Sequence, residues 1–204
     1  MKRQSLSIRI LFAVLAAVFA LTLQWNTAVA KGSPKSAFVS DLLGQLDRVK
    51  EQIVTLEAAV PQDKYDWRPM EGVRSISEVY LHIADANYLL ANFAGIKSPY
   101  DTKTLMDEKT RDARTTDKAK IAEELNTSFK WTVDAIGKLT EADLEKKVDF
   151  FGQKMTVRSM LLTLLSHTHE HLGQSIAYAR SNGVVPPWTA KMQEAVNQNI
   201  SSKK

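Results

Sequence analysis

The chain has 204 residues, with 27 Lys and Arg against 23 Asp and Glu, 44% hydrophobic and 25% charged, the profile of a one-domain globular protein. That profile excludes a disordered chain, a collagen-like repeat and a multi-span membrane protein. No cysteine is present, which excludes a disulfide scaffold, a thiolate zinc site and a cysteine nucleophile.

Residues 1–30 read as a secretory signal peptide rather than as part of the fold. Lys2, Arg3 and Arg9 give a positive start, Ile10 to Leu23 is uncharged and mostly apolar, and Ala28-Val29-Ala30 is a small-x-small cleavage signal. The apolar run is shorter than the roughly 20 residues a spanning helix needs, so cleavage after Ala30 is expected rather than a retained anchor. The mature chain then begins at Lys31, periplasmic or secreted, with no stable membrane anchor. Removing the three basic residues of the leader leaves 24 basic against 23 acidic, a net +1. So even a balance carries no electrostatic footprint for nucleic acid.

Residues 31–35, with Gly32, Ser33 and Pro34, form a linker. From Ser36 to about Val60 apolar residues recur at helical spacing (Phe38, Leu42, Leu46, Val49, Ile53, Leu56), and Pro61 ends the helix. Pro61 to Val73 is a loop whose Tyr65 and Trp67 rings plug one end of the core. Ser75 and Glu78 make a capping box, opening a second helix that runs to about Phe93 and stops at Gly95, with Ile76, Val79, Ile83, Ala86, Leu90 and Phe93 as its buried stripe. Residues 96–116 are polar, charged and without a sustained period. They read as a long connection, either covering a site or merely mobile.

A third helix fits Thr116 or Asp117 to about Lys138, with Ile121, Leu125, Phe129, Val133 and Ile136 on one face. Thr140 to Asp143 caps one short turn, and Phe150-Phe151-Gly152 reads as a loop packing inward. Thr156 opens a fourth helix continuing to Asn182, where Gly183 takes the left-handed cap position. Residues 191–204 form a weakly amphipathic tail. No strand-like alternation persists, so the expected fold is all-α, a four-helix bundle over residues 36–190.

The histidines carry the chemistry. His167 and His171, four apart on the fourth helix, share a face about 5–6 Å between Cβ atoms, in line with Met160, Leu164, Gln174 and Tyr178. His169 points well around the helix. His82 lies at the border of the second helix's buried stripe. Two imidazoles on one helix and a third on a facing helix can form a three-nitrogen set holding a divalent metal with one position left open. Packing histidines at a helix edge would show the same spacing. Asp85 or Glu78 would either orient His82 or stand as solvated carboxylates, Arg68 would cap a helix end or touch a ligand, and Gln174 would hydrogen-bond within the core or touch a ligand. No phosphate loop and no G-x-S-x-G elbow is present.

Several segments in order resemble the DinB-like family: Tyr65-Asp66-Trp67-Arg68-Pro69, Arg74-Ser75-Ile76-Ser77-Glu78, Leu81-His82-Ile83-Ala84-Asp85, Thr156-Val157-Arg158, His167 to His171, Gly173-Gln174, and Tyr178 to Gly183 followed by Pro186-Pro187. The resemblance spans about residues 36–190. It implies a four-helix bundle with a divalent metal, often Ni or Zn, held by His82, His167 and His171, and frequently a homodimer. Characterised relatives include metal-dependent transferases and isomerases that use low-molecular-weight thiols. Export removes this chain from the cytosolic thiol pool, which makes metal-activated water acting on a small molecule the more attractive chemistry.

Three readings follow. A metal-dependent hydrolase or transferase requires an enclosed pocket beside the triad with a second polar group in reach. A non-enzymatic binder of a metal or small ligand would have a shallow site, or one plugged by Trp67 or Phe151. A purely structural bundle requires that His82 not face His171.

Overall fold

The computed structural model describes residues 36–202; the expected signal peptide and linker lie outside the described residues. Four long helices carry the core: α1 (Ala37–Ala59), α2 (Ile76–Phe93), α5 (Lys118–Ile136) and α7 (Val157–Ser181). Between them stand α3 (Thr102–Leu105), α4 (Glu108–Asp112), α6 (Glu141–Leu144), strands β1 (Lys147–Phe150) and β2 (Gln153–Thr156), and after them α8 (Pro187–Ser201). No helix among the described residues is long and apolar enough to cross a membrane.

Ser36 caps α1 by accepting from the Val39 amide. Val39, Leu42, Leu46, Val49, Ile53 and Leu56 then alternate three and four residues apart and are all buried, the spacing that keeps one stripe on the bundle seam. Helix α1 packs on α5 and α7, and α2 packs on the same two. The first two long helices therefore sit diagonally across the bundle, which explains the loop between them. Residues 61–75 cross the end of the bundle, with Tyr65 fully buried as the expected plug. Its hydroxyl donates to the buried Glu57 carboxylate. Trp67 is half-buried, edge-on to Tyr178 with ring centroids 5.3 Å apart. The Lys118 ammonium donates to the Ala58 and Val60 carbonyls at 2.7 Å, so the start of α5 closes the end of α1.

The capping box at the start of α2 is present as expected, both halves of it. Helix α2 is buried over more than one stripe: Tyr80, Leu81, Ala84, Asn87 and Ala91 are covered as well. The reason is its central place, with α5 and α7 on two sides and α3 and α4 laid over a third.

Three expectations need correction. Residues 96–116 are not a structureless connection. They fold into α3 and α4, with Asp101 accepting from the Thr104 amide and Leu105 buried. Helices of four and five residues are shorter than the window in which a helical period shows.

The fold is also not purely helical. Strands β1 and β2 pair antiparallel, with Phe150 opposite Gln153, around a two-residue turn. Phe151 (φ 51°) and Gly152 (φ 84°) both occupy the left-handed region, as a tight hairpin turn with the sheet's twist requires. Phe150 packs edge-on to Phe93, whereas Phe151 is 65% exposed instead of turned inward. Finally, the C-terminal segment is a helix across the expected boundary at residue 190, begun by Pro187 in its first turn; none of its residues is fully buried.

Candidate metal centre

Helices α2 and α7 pack against each other and bring the three histidines together. The His167 Nε2 atom lies 3.3 Å from His82 Nε2 and 3.2 Å from His171 Nε2. His82 and His171 are buried and His167 is half-buried. His169 is exposed, with its Nδ1 at 2.9 Å from the Leu165 carbonyl of its own helix, and takes no part. Since His82 faces His171, the purely structural reading fails its own condition.

The donor set fits a divalent transition metal. Ligand nitrogens about 2.0–2.1 Å from a tetrahedral ion stand about 3.3–3.4 Å from one another, close to the separations found here. Three imidazoles leave a fourth position open. Burial, aided by the Arg74 charge, lowers the His82 pKa to about 3. His167 is lowered to about 4 by burial and by His171, and His171 is lowered mainly by burial. The imidazoles are thus neutral at physiological pH, the form that ligates a metal.

The residues behind the histidines are specific. His171 Nδ1 is 2.8 Å from Gln174 Oε1, and the Gln174 amide donates onward to the Tyr178 hydroxyl at 3.1 Å. An acceptor on Nδ1 fixes the proton there and leaves Nε2 bare, so Gln174 serves the site rather than the core alone. Arg68 donates to Glu78 at 3.1 Å and to the Val73 carbonyl at 2.8 Å, which secures the capping box.

Asp85 neither orients His82 nor faces solvent. It is buried and accepts from Arg111 at 2.6 and 3.0 Å and from Arg114 at 2.9 Å, clamping α4 and the segment after it onto α2.

Two carboxylates that the sequence reading did not single out come to the site on α4. The Arg74 guanidinium donates to Asp112 Oδ2 at 2.5 Å and to Glu108 at 2.6 Å. Asp112 Oδ2 is 3.8 Å from His82 Nδ1, and its other oxygen, Oδ1, is buried without a partner. Burial raises the Asp112 pKa to about 6 despite Arg74. The only signal in the sequence is the four-residue spacing of Glu108 and Asp112, which a solvated helix face shows equally.

A cavity of about 180 Å³ opens beside this group. His82, Asp85, His167, Glu108 and Asp112 form its polar side, and Phe93, Phe150 and Phe151 belong to its apolar side. Trp67 is not at the cavity, and Phe151 walls it instead of filling it. On the other side of Glu108 and Asp112 lies an open groove of about 740 Å³, lined by Arg68, Arg74 and Gln174 among others.

The model of the DinB superfamily matches residues 45–175. The chain belongs to that superfamily. YjoA of Bacillus subtilis, an uncharacterised protein, is 32% identical over 137 residues, 64% of this chain and 82% of YjoA. A DinB-like protein of Bacillus cereus shares the fold at a TM-score of 0.62 and 22% identity, covering 72% of this chain and 93% of that one. YfiT of Bacillus subtilis, a "probable metal-dependent hydrolase with an unusual four-helix bundle topology", shares it at a TM-score of 0.58 and 16% identity, covering 76% and 93%. In this chain the diagonal placement of α1 and α2 departs from a simple up-and-down bundle.

Proposed function

We propose that this DinB-superfamily chain is a divalent-metal-dependent enzyme, of hydrolase or thiol-transferase type, acting on a small molecule. His82, His167 and His171 hold the ion, zinc or nickel. The observation that carries the reading is the convergence of the His82 and His171 Nε2 atoms on that of His167, at 3.3 and 3.2 Å, beside a cavity that also presents carboxylates. YfiT, of like fold, adds support. A bound ion would supply Lewis-acid chemistry, polarising a carbonyl or making water or a thiol nucleophilic near neutral pH.

The protein's own groups do the rest. Gln174 fixes His171. Glu108, at the cavity's polar side, is placed to accept a proton from an attacking water or thiol. The phenylalanines around the hairpin turn receive the apolar part of the substrate and keep water from it. A cavity of about 180 Å³ suits a substrate no larger than a substituted ring. The presence of a second polar group beside the triad favours turnover over simple binding.

Export belongs to the same proposal: processing after Ala30, a periplasmic or secreted mature chain without a membrane anchor, and no nucleic-acid partner. The homodimer rests on the family resemblance alone. The enzymatic reading is tested by offering small aryl esters, amides and thiol acceptors to zinc- or nickel-loaded protein. Turnover that disappears in His171→Ala and persists in His169→Ala is the expected result. Equal rates in all three proteins would exclude the site as the source.

A further inference from the structure

An ion held through three Nε2 atoms obliges each ring to carry its proton on Nδ1, and a buried N–H requires an acceptor. For His171 the acceptor is Gln174 at 2.8 Å. For His82 none lies within hydrogen-bond distance: the nearest carboxylate oxygen, Asp112 Oδ2, is 3.8 Å away. On that same carboxylate Oδ1 is buried and has no partner at all. A buried acceptor lacking a donor thus stands beside a ring nitrogen that no protein group accepts from. The Asp112 side chain is only 9% exposed, so solvent does not satisfy its Oδ1.

Resting on the metal-site reading above, we propose that Asp112 is the positioning residue for His82: its carboxylate accepts the His82 Nδ1–H once the ion draws Nε2 into place. Reaching a normal N–H···O distance of about 2.7–3.2 Å takes a shift of about 1 Å or less. Arg74 holds the carboxylate from behind through Oδ2 and ties it to Glu108, so the approach is guided rather than free. The ligand set then has two unlike supports, a neutral amide on His171 and a carboxylate on His82. The carboxylate makes its imidazole the more basic ligand. It also couples α4, and with it the segment after α2, to the occupancy of the site.

The test uses the full mature protein, zinc, and two readouts independent of turnover: zinc affinity by competition with a chromophoric chelator, and imidazole N–H resonances with ¹⁵N-labelled histidine. Zinc is expected to bring out a downfield, exchange-protected N–H signal assigned to His82. Asp112→Ala is expected to abolish that signal and weaken zinc about 10–100-fold, while Asp112→Asn, which keeps an acceptor, loses less. A wild-type protein that binds zinc without such a signal would overturn the proposal, whatever the variants do. So would wild-type affinity in Asp112→Ala, or an affinity loss that leaves the His82 signal in place, since the carboxylate would then act only on the fold. Absence of zinc binding in the wild type is a separate result and would refute the metal site itself.

Discussion

His82 and His167 are 85 positions apart in the chain, yet their Nε2 atoms lie 3.3 Å from each other across the interface of α2 and α7. Two bare nitrogens at that distance repel unless a proton or a cation stands between them. Burial keeps both rings neutral, so either one ring donates an Nε2–H to the other or, with the protons on Nδ1, a shared cation satisfies both lone pairs together with that of His171.

Acid should destabilise the metal-free protein. His82 and His167 titrate at about 3 and about 4 in the folded chain, against about 6.5 unfolded, and His171 is shifted the same way. As the pH falls below about 6.5 the unfolded state takes up protons that the folded state refuses, so stability drops toward about pH 4. Asp112, raised to about 6, and Glu57, raised by burial, oppose this by protonating earlier in the folded state, but they are two groups against three. Melting in the presence of a chelator should show a Tm that declines from pH 7 to pH 5. A flat or rising Tm would contradict the neutral, buried triad.

Replacing Gln174 by Leu removes the acceptor on His171 Nδ1 at 2.8 Å without opening a cavity. Zinc affinity should fall about tenfold, with little change in the helical signal. Competition titration and circular dichroism check the two halves of the statement. An unchanged affinity would show that Tyr178 and the bundle alone hold His171.

Asp85→Ala should be strongly destabilising. It strands the Arg111 guanidinium and leaves Arg114 with Glu124 alone, a change of about 3–5 kcal/mol when a buried pair loses one partner. Helices α3 and α4 should lose hydrogen-exchange protection before the four long helices do. Denaturant melts and exchange mass spectrometry measure the two effects.

The long helices were legible because each sustains a 3.6-residue stripe, and the triad because two of its members sit one turn apart while the third borders a buried stripe. The opposite fate of α3, α4 and the hairpin has a physical cause: elements of four or five residues are fixed by caps, one buried Leu105 and ion pairs to α2, none of which is periodic. Asp112 was hidden for the same reason. A carboxylate in a charged segment looks solvated until α4 is laid against α2. Asp85 was read as solvated or as an orienter of His82 because its two arginine partners come from that same segment.

Phe151 offers a probe of the cavity that is nearly free of stability effects, being 65% exposed. Phe151→Ala should leave the melting free energy within about 0.5 kcal/mol, while weakening whichever aryl substrate or probe the metal-loaded protein accepts. Isothermal titration with that compound decides it. Undiminished binding would place the substrate outside the hairpin wall.

The measurement that bears most directly on the whole account is the metal content of the purified mature protein, by elemental analysis, beside a His167→Ala/His171→Ala double variant. The account predicts one divalent transition-metal ion per chain, lost in the variant while its helical spectrum persists. No metal in either protein, even after incubation with zinc or nickel, would contradict it.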